Sequence, residues 1–142
     1  MRVVFDTNVV LSGMLWGGLP RLALEQIRLE RAILLSSQPL LDELKDVLSR
    51  QKFVARLAEL KQTPENLIHL YTAIVEMVEP ATIGQVITAD PDDDKFLACA
   101  VGGQAVVIVS GDHHLLDIGR YAEIEILTVE QFLNRVVPED QG

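Results

Sequence analysis

Carboxylates stand at four places in this chain where they can do chemistry together. Asp6 closes the apolar run Val3-Val4-Phe5, and Asp112 follows a second apolar run, residues 105–109, by way of Ser110 and Gly111. Asp92, Asp93 and Asp94 stand in succession after Pro91, where a segment of helical spacing begins. Glu43 sits between Leu40 and Leu44 and flanks the apolar stripe of another helical segment. A carboxylate buried at a strand tip is costly unless something compensates it. Several sharing one place repel each other, and a hard divalent cation, Mg²⁺ or Mn²⁺, resolves that conflict. An ion held this way activates a water and steadies the oxyanions of a phosphodiester during in-line attack.

Each of these residues also has a blander reading. A single helical glutamate is usually surface, and Asp42, about 100° around the axis from Glu43, reads as a solvated residue. Aspartates at a helix start are favoured by the macrodipole, at ~0.3–1 kcal/mol each. Three in succession repel each other beyond what capping requires. Asp93 and Asp94 both flank the stripe of Phe96, Leu97, Ala100 and Val101, so periodicity does not choose between them. Glu43 gains weight only in company with Asp6 and Asp112.

The elements that must position these groups follow from the apolar pattern. Residues 3–5 show no alternation, which is how a strand buried on both faces reads, and residues 105–109 form the clearest central strand. Between and after them the spacing predicts strands at 32–36, weakly at 78–80, and at 123–127. Helices are expected at 20–30, 38–50, 53–60, 63–77, 92–101 and 128–136, with a short helix after Asp6, a loop at Gly17-Gly18 to Pro20, and a helical turn at 113–117. Strands alternating with helices imply an α/β domain with a parallel sheet covered on both faces. Strand tips then share one edge, so Asp6 and Asp112 meet there despite their separation in sequence. Residues 1–137 read as one domain and 138–142 as a flexible tail.

The formal charge of −9 argues against broad, salt-driven attraction to nucleic acid. It leaves room for a nuclease, because acids gathered around an ion become a local positive site once it is bound. Apolar residues make up 49% of the chain, yet no run reaches the ~18 needed to span a membrane. The start lacks the basic flank and long apolar core of a signal peptide, so the expectation is a cytoplasmic protein. Cys99 is the single cysteine, which rules out an internal disulfide and a thiolate zinc cluster.

Four pieces in order, Val4-Phe5-Asp6-Thr7-Asn8-Val9, Leu40-Leu41-Asp42-Glu43-Leu44, the run from Asp90 through Pro91 to Ala100, and Val109-Ser110-Gly111-Asp112-His113-His114-Leu115-Leu116, resemble PIN-domain proteins. More narrowly they are similar to the bacterial toxins of toxin–antitoxin pairs. The resemblance implies a three-layer α/β/α domain with a parallel sheet of about five strands. It also implies an Mg²⁺- or Mn²⁺-dependent ribonuclease whose acids are Asp6, Glu43, Asp94 and Asp112. Asp94 is preferred to Asp93 because the family places the acid three residues before the Leu-Ala pair, here Leu97-Ala98; Asp93 is then a further ligand or a support to one. Asn8 and Ser110 match polar support positions beside the first and last acids. Partners implied are an RNA substrate, a cognate antitoxin and a second copy in a homodimer, with apolar surface near Trp16 or on the helix after Pro64 as candidate contact faces.

Two other functions compete. A non-catalytic PIN-like binding module would use the same fold without cleaving. A phosphoacceptor receiver domain would need an acidic pair before the first helix and a lysine after its last strand, and neither is present. His113-His114 invite a zinc reading, but no third nitrogen or sulfur ligand stands at suitable spacing. Trp16 is a candidate base-stacking residue or a packing residue. Arg21, Arg28, Arg31, Lys45 and Arg50 are the candidate phosphate contacts.

Overall fold

The computed structural model describes residues 1–84, 86 and 91–138. In chain order these form β1 (Arg2–Phe5), α1 (Thr7–Leu15), α2 (Gly18–Arg28), β2 (Ile33–Ser36), α3 (Gln38–Leu48), a 3₁₀ turn (Gln51–Phe53), α4 (Val54–Glu59), α5 (Pro64–Ile74) and β3 (Val75–Met77). A second 3₁₀ turn (Pro91–Asp93) leads into α6 (Asp94–Gly102), followed by β4 (Val107–Val109), α7 (His113–Ile118), β5 (Arg120–Tyr121), β6 (Ile124–Leu127) and α8 (Val129–Val136). Asp90, which opens the acidic run, lies outside the described residues, as does most of the expected tail.

The six strands form one sheet in the order β3-β2-β1-β4-β6-β5. All neighbours run parallel except β5, which pairs antiparallel with β6. The chain builds outward from β1 on one side through β2 and β3, then returns to place β4 on the other. The gap between the tips of β1 and β4 is therefore the topological switch point, where open α/β sheets bind ligands.

The lack of alternation in β1 has the expected consequence. Val3 and Phe5 enter one apolar cluster and Val4 enters the other. The first cluster gathers residues of α1–α5 and α8, with Phe132 edge-on to Phe5 at 5.3 Å between ring centres. The second is built from Phe96, Leu97, Cys99 and Ala100 of α6 and Leu115 of α7. Two apolar faces on one sheet make the three-layer α/β/α arrangement.

Three elements differ from the sequence expectation. The helix expected over 63–77 stops at Ile74, and the third strand is Val75–Met77 rather than 78–80. Pairing of Val75 with Leu34 outweighs helical continuation at this β-branched site, and Pro80 has no N–H to give to a ladder. The loop expected at Gly17-Gly18 to Pro20 is instead the start of α2, because Gly17 turns the chain at φ 97° and Pro20 falls in the first turn, where a missing N–H costs nothing. The sheet has one strand more than expected, because β5 is two residues long and turns back onto β6 through Ala122-Glu123, too short a run to show a pattern.

Candidate metal centre

Register places the strand tips. Phe5 is level with Val109, and the amide of Asp6 donates to the carbonyl of Val109 at 3.0 Å. Asp6 and Ser110 are thus the first residues beyond paired strands. The Asp6 carboxylate caps α1, accepting from the Val9 amide at 2.8 Å on one oxygen. Its other oxygen accepts from the Ser110 hydroxyl and from the Gly111 amide at 3.2 Å. Asp6 is only 3% exposed. That burial pushes its carboxyl above the usual range, the hydrogen bonds from Ser110, Val9 and Gly111 pull it back in part, and the Asp112 charge adds to the rise.

Asp112 is reached from β4 by the same short path. The fully buried Ser110 hydroxyl accepts the Asp112 amide at 2.9 Å, and Asp112 itself caps α7 by accepting the His114 amide at 2.9 Å. The Asp112 carboxyl is held below its ordinary range, first by a side-chain hydrogen bond with Asp93, against desolvation, with the His114 amide and both histidines assisting. The His114 ring joins them, with Nδ1 3.4 Å from Asp112 Oδ1. Asp93, Asp112 and His114 each offer a ligand atom within 4.8 Å of the others.

A cleft of about 270 Å³ opens over these groups, lined by Asp6, Asn8, Glu43, Asp93 and Asp112 among others. Asp6, Glu43 and Asp112, expected to converge, all line this one cleft. Asp93 turns toward the cleft from the end of the 3₁₀ turn and is buried. Asp94, the acid preferred from the resemblance, does not line the cleft; its carboxylate accepts the Val86 amide at 2.9 Å. The turn Pro91–Asp93 starts α6 at Asp94, two positions later than the spacing predicts, and Asp93 at its end is the one that lines the cleft.

Glu43 stands on the α3 wall and is not a bare acid. Its Oε1 lies 2.8 Å from the Lys95 ammonium, and its Oε2 accepts from the Thr7 hydroxyl. Nothing local in the sequence links Lys95 to Glu43, 52 positions earlier. Of the basic residues named as phosphate contacts, Arg50 lines the cleft, joined by Lys52 from the adjoining 3₁₀ turn. Arg21 donates to the Gly13 carbonyl, Arg28 pairs with Glu25, and Arg31 bonds Gln26. Trp16 is 60% exposed, outside the cleft, with the Arg56 guanidinium 4.7 Å above its ring.

The donor set fits a hard divalent cation. It consists of carboxylate oxygens and one imidazole nitrogen, with ligand atoms of Asp93, Asp112 and His114 within 4.8 Å of one another. A family model described as PIN domain matches residues 2–114, most of the chain. The chain belongs to the PIN domain family. PIN domains are generally ribonucleases that bind divalent metals, and in this PIN domain the matched span carries all the acids of the cleft. No curated protein matches the chain. Among the described residues no helix is long and apolar enough to cross a membrane.

Proposed function

We propose that this PIN domain is a metal-dependent endoribonuclease, and that it serves as the toxin of a toxin–antitoxin pair. The observation that carries the nuclease reading is the gathering of Asp93, Asp112 and His114, whose ligand atoms lie within 4.8 Å of one another, in the cleft lined by the buried Asp6. Such a group of acids is poorly stable by itself and becomes favourable around a cation. Asp6, Asp93 and Asp112 would hold Mg²⁺ or Mn²⁺, with His114 as a nitrogen donor. A bound ion supplies an activated water and charge to steady the departing 3′-oxygen of the RNA.

The chain's own residues do the rest. Ser110 and the Gly111 amide fix the Asp6 carboxylate, leaving it no freedom to turn away from the cleft. Asn8 at the cleft wall is placed to meet a ribose or phosphate oxygen. Arg50 and Lys52 put positive charge at the rim of a chain whose net charge is −9, so RNA is drawn to this rim and repelled elsewhere. The toxin role rests on the likeness of the four motifs to the bacterial toxin group, and with it come a cognate antitoxin and a homodimer as partners.

Purified protein incubated with structured and unstructured RNA, in Mn²⁺, Mg²⁺ or EDTA, tests the chemistry beside Asp6→Asn. Cleavage is expected only in wild type with an ion. Cleavage that survives EDTA or the variant overturns the mechanism. Binding of RNA with no cleavage under any condition replaces the nuclease by a binding module. Growth arrest on expression, relieved by co-expressing an adjacent reading frame, tests the toxin role.

A further inference from the structure

Glu43 differs from the other cleft acids in what it touches. Both of its oxygens are taken by side chains that neighbour cleft acids in sequence: Thr7 directly after Asp6, and Lys95 two residues after Asp93. The ion pair is drawn in from the surface, with each side chain 27% exposed, so water screens it less than an exposed pair. An ammonium is a compact point charge that meets carboxylate oxygens much as a small cation does. Glu43 and Lys95 thus form a closed pair on α3 and α6, while Asp6, Asp93 and Asp112 enter the same cleft from beyond the tips of β1 and β4 and from the end of the 3₁₀ turn.

We propose that the Lys95 ammonium stands against Glu43 where a second divalent cation would otherwise sit, so that the cleft takes one ion. The proposal rests on the metal-dependent nuclease reading and specifies its stoichiometry. One divalent ion nearly balances the carboxylates of Asp6, Asp93 and Asp112. Two would exceed them unless Glu43 gave up its lysine and turned to metal. Lys95 therefore sets how many ions the site accepts without touching any of them, which makes it a positioning residue acting through Glu43.

The test counts ions on the full chain and needs no activity. Mn²⁺ binding is measured by calorimetry, and the bound ions are inspected by electron paramagnetic resonance, in which two adjacent Mn²⁺ give a spin-coupled spectrum. Wild type and Lys95→Arg are expected to bind one uncoupled Mn²⁺ per chain. Lys95→Met, of similar length and no charge, is expected to bind two that couple, with its fold checked by circular dichroism. Glu43→Gln, whose oxygen still accepts from Lys95 and whose amide can donate to the Thr7 hydroxyl, is expected to bind one ion within about threefold of the wild-type affinity, against the 10–100-fold loss that follows when a ligand's support is removed. Two ions in wild type, one ion in folded Lys95→Met, or loss of the ion in Glu43→Gln each overturn the proposal while leaving the metal centre standing. No ion in wild type overturns the metal centre itself.

Discussion

Ser110 joins Asp6 to Asp112: its hydroxyl donates to the Asp6 carboxylate and accepts the Asp112 amide at 2.9 Å. One fully buried oxygen therefore sets the spacing of the two strand-tip acids. Ser110→Ala removes both bonds and leaves the Asp112 amide short of a partner, at a cost of about 1–3 kcal/mol in stability. Because the lost bond also orients Asp6, Mn²⁺ affinity is expected to fall about 10–100-fold. Urea denaturation without metal and calorimetry with Mn²⁺ measure the two effects separately. An unchanged affinity would show that Ser110 is structural only.

Asp6 lends itself to a pH experiment. Burial raises its carboxyl above the ordinary value of the unfolded chain, so the native state holds this proton more tightly. The resulting stabilisation is present below the unfolded value of 3.8 and is lost as pH rises through the raised value. Asn at this position has no charge to desolvate. In EDTA, the melting temperature of Asp6→Asn is expected to gain on wild type as pH rises from 4 to 7. Adding Mn²⁺ at pH 7 is expected to reverse the order, because only wild type gains the binding free energy of the ion. Asp112 runs the other way: its lowered carboxyl contributes stability above the ordinary value, lost as pH falls.

How much of this was legible in the sequence depends on the distance over which each residue acts. Asp6 and Asp112 end apolar runs, and a parallel sheet puts such ends on one edge, so their convergence follows from local pattern plus topology. The choice between Asp93 and Asp94 depends on one 3₁₀ turn, a shift of a single residue that hydrophobic spacing does not resolve. Lys95 and Glu43 meet only because α6 and α3 pack side by side, and no local feature of either helix announces it. His114 has no nitrogen or sulfur companions at ligand spacing in the sequence, whereas its companions at the site are carboxylates.

Asp93 and Asp94 make a matched pair for experiment. Asp93→Asn is expected to lower Mn²⁺ affinity and RNA cleavage by at least ~100-fold, since Asp93 lines the cleft with a ligand atom within 4.8 Å of those of Asp112 and His114. Asp94→Asn keeps an oxygen for the Val86 amide and is expected to leave both within about threefold, with a stability loss of roughly 0.5–1.5 kcal/mol. The reverse order of effects would return the ligand role to Asp94.

His114 predicts a preference among ions. Imidazole nitrogen suits Mn²⁺ better than Mg²⁺, which keeps to oxygen and water. With its Nδ1 3.4 Å from Asp112 Oδ1, His114 is close enough to complete the carboxylate set. His114→Ala is expected to weaken Mn²⁺ by roughly tenfold more than Mg²⁺. Competition calorimetry reads the ratio directly, and an equal loss for both ions would place His114 outside the coordination sphere.

Gly102 separates folding from function. It ends α6 against the segment that follows β3, where the Ala81 amide donates to the Ala98 carbonyl at 2.9 Å. A Cβ on Gly102 would lie 2.1 Å from the Glu79 carbonyl oxygen and 2.8 Å from the Ala81 nitrogen, both backbone atoms without a rotamer to move into. Either α6 or the segment after β3 must shift, and α6 carries Lys95 at its other end. Gly102→Ala is expected to cost about 1–3 kcal/mol by overpacking and to lower Tm by roughly 3–10 °C. Mn²⁺ affinity per folded molecule is expected to hold if the shift stays at the far end of the helix. A changed affinity would mean that α6 moves as a rigid body and carries Lys95 with it, away from Glu43.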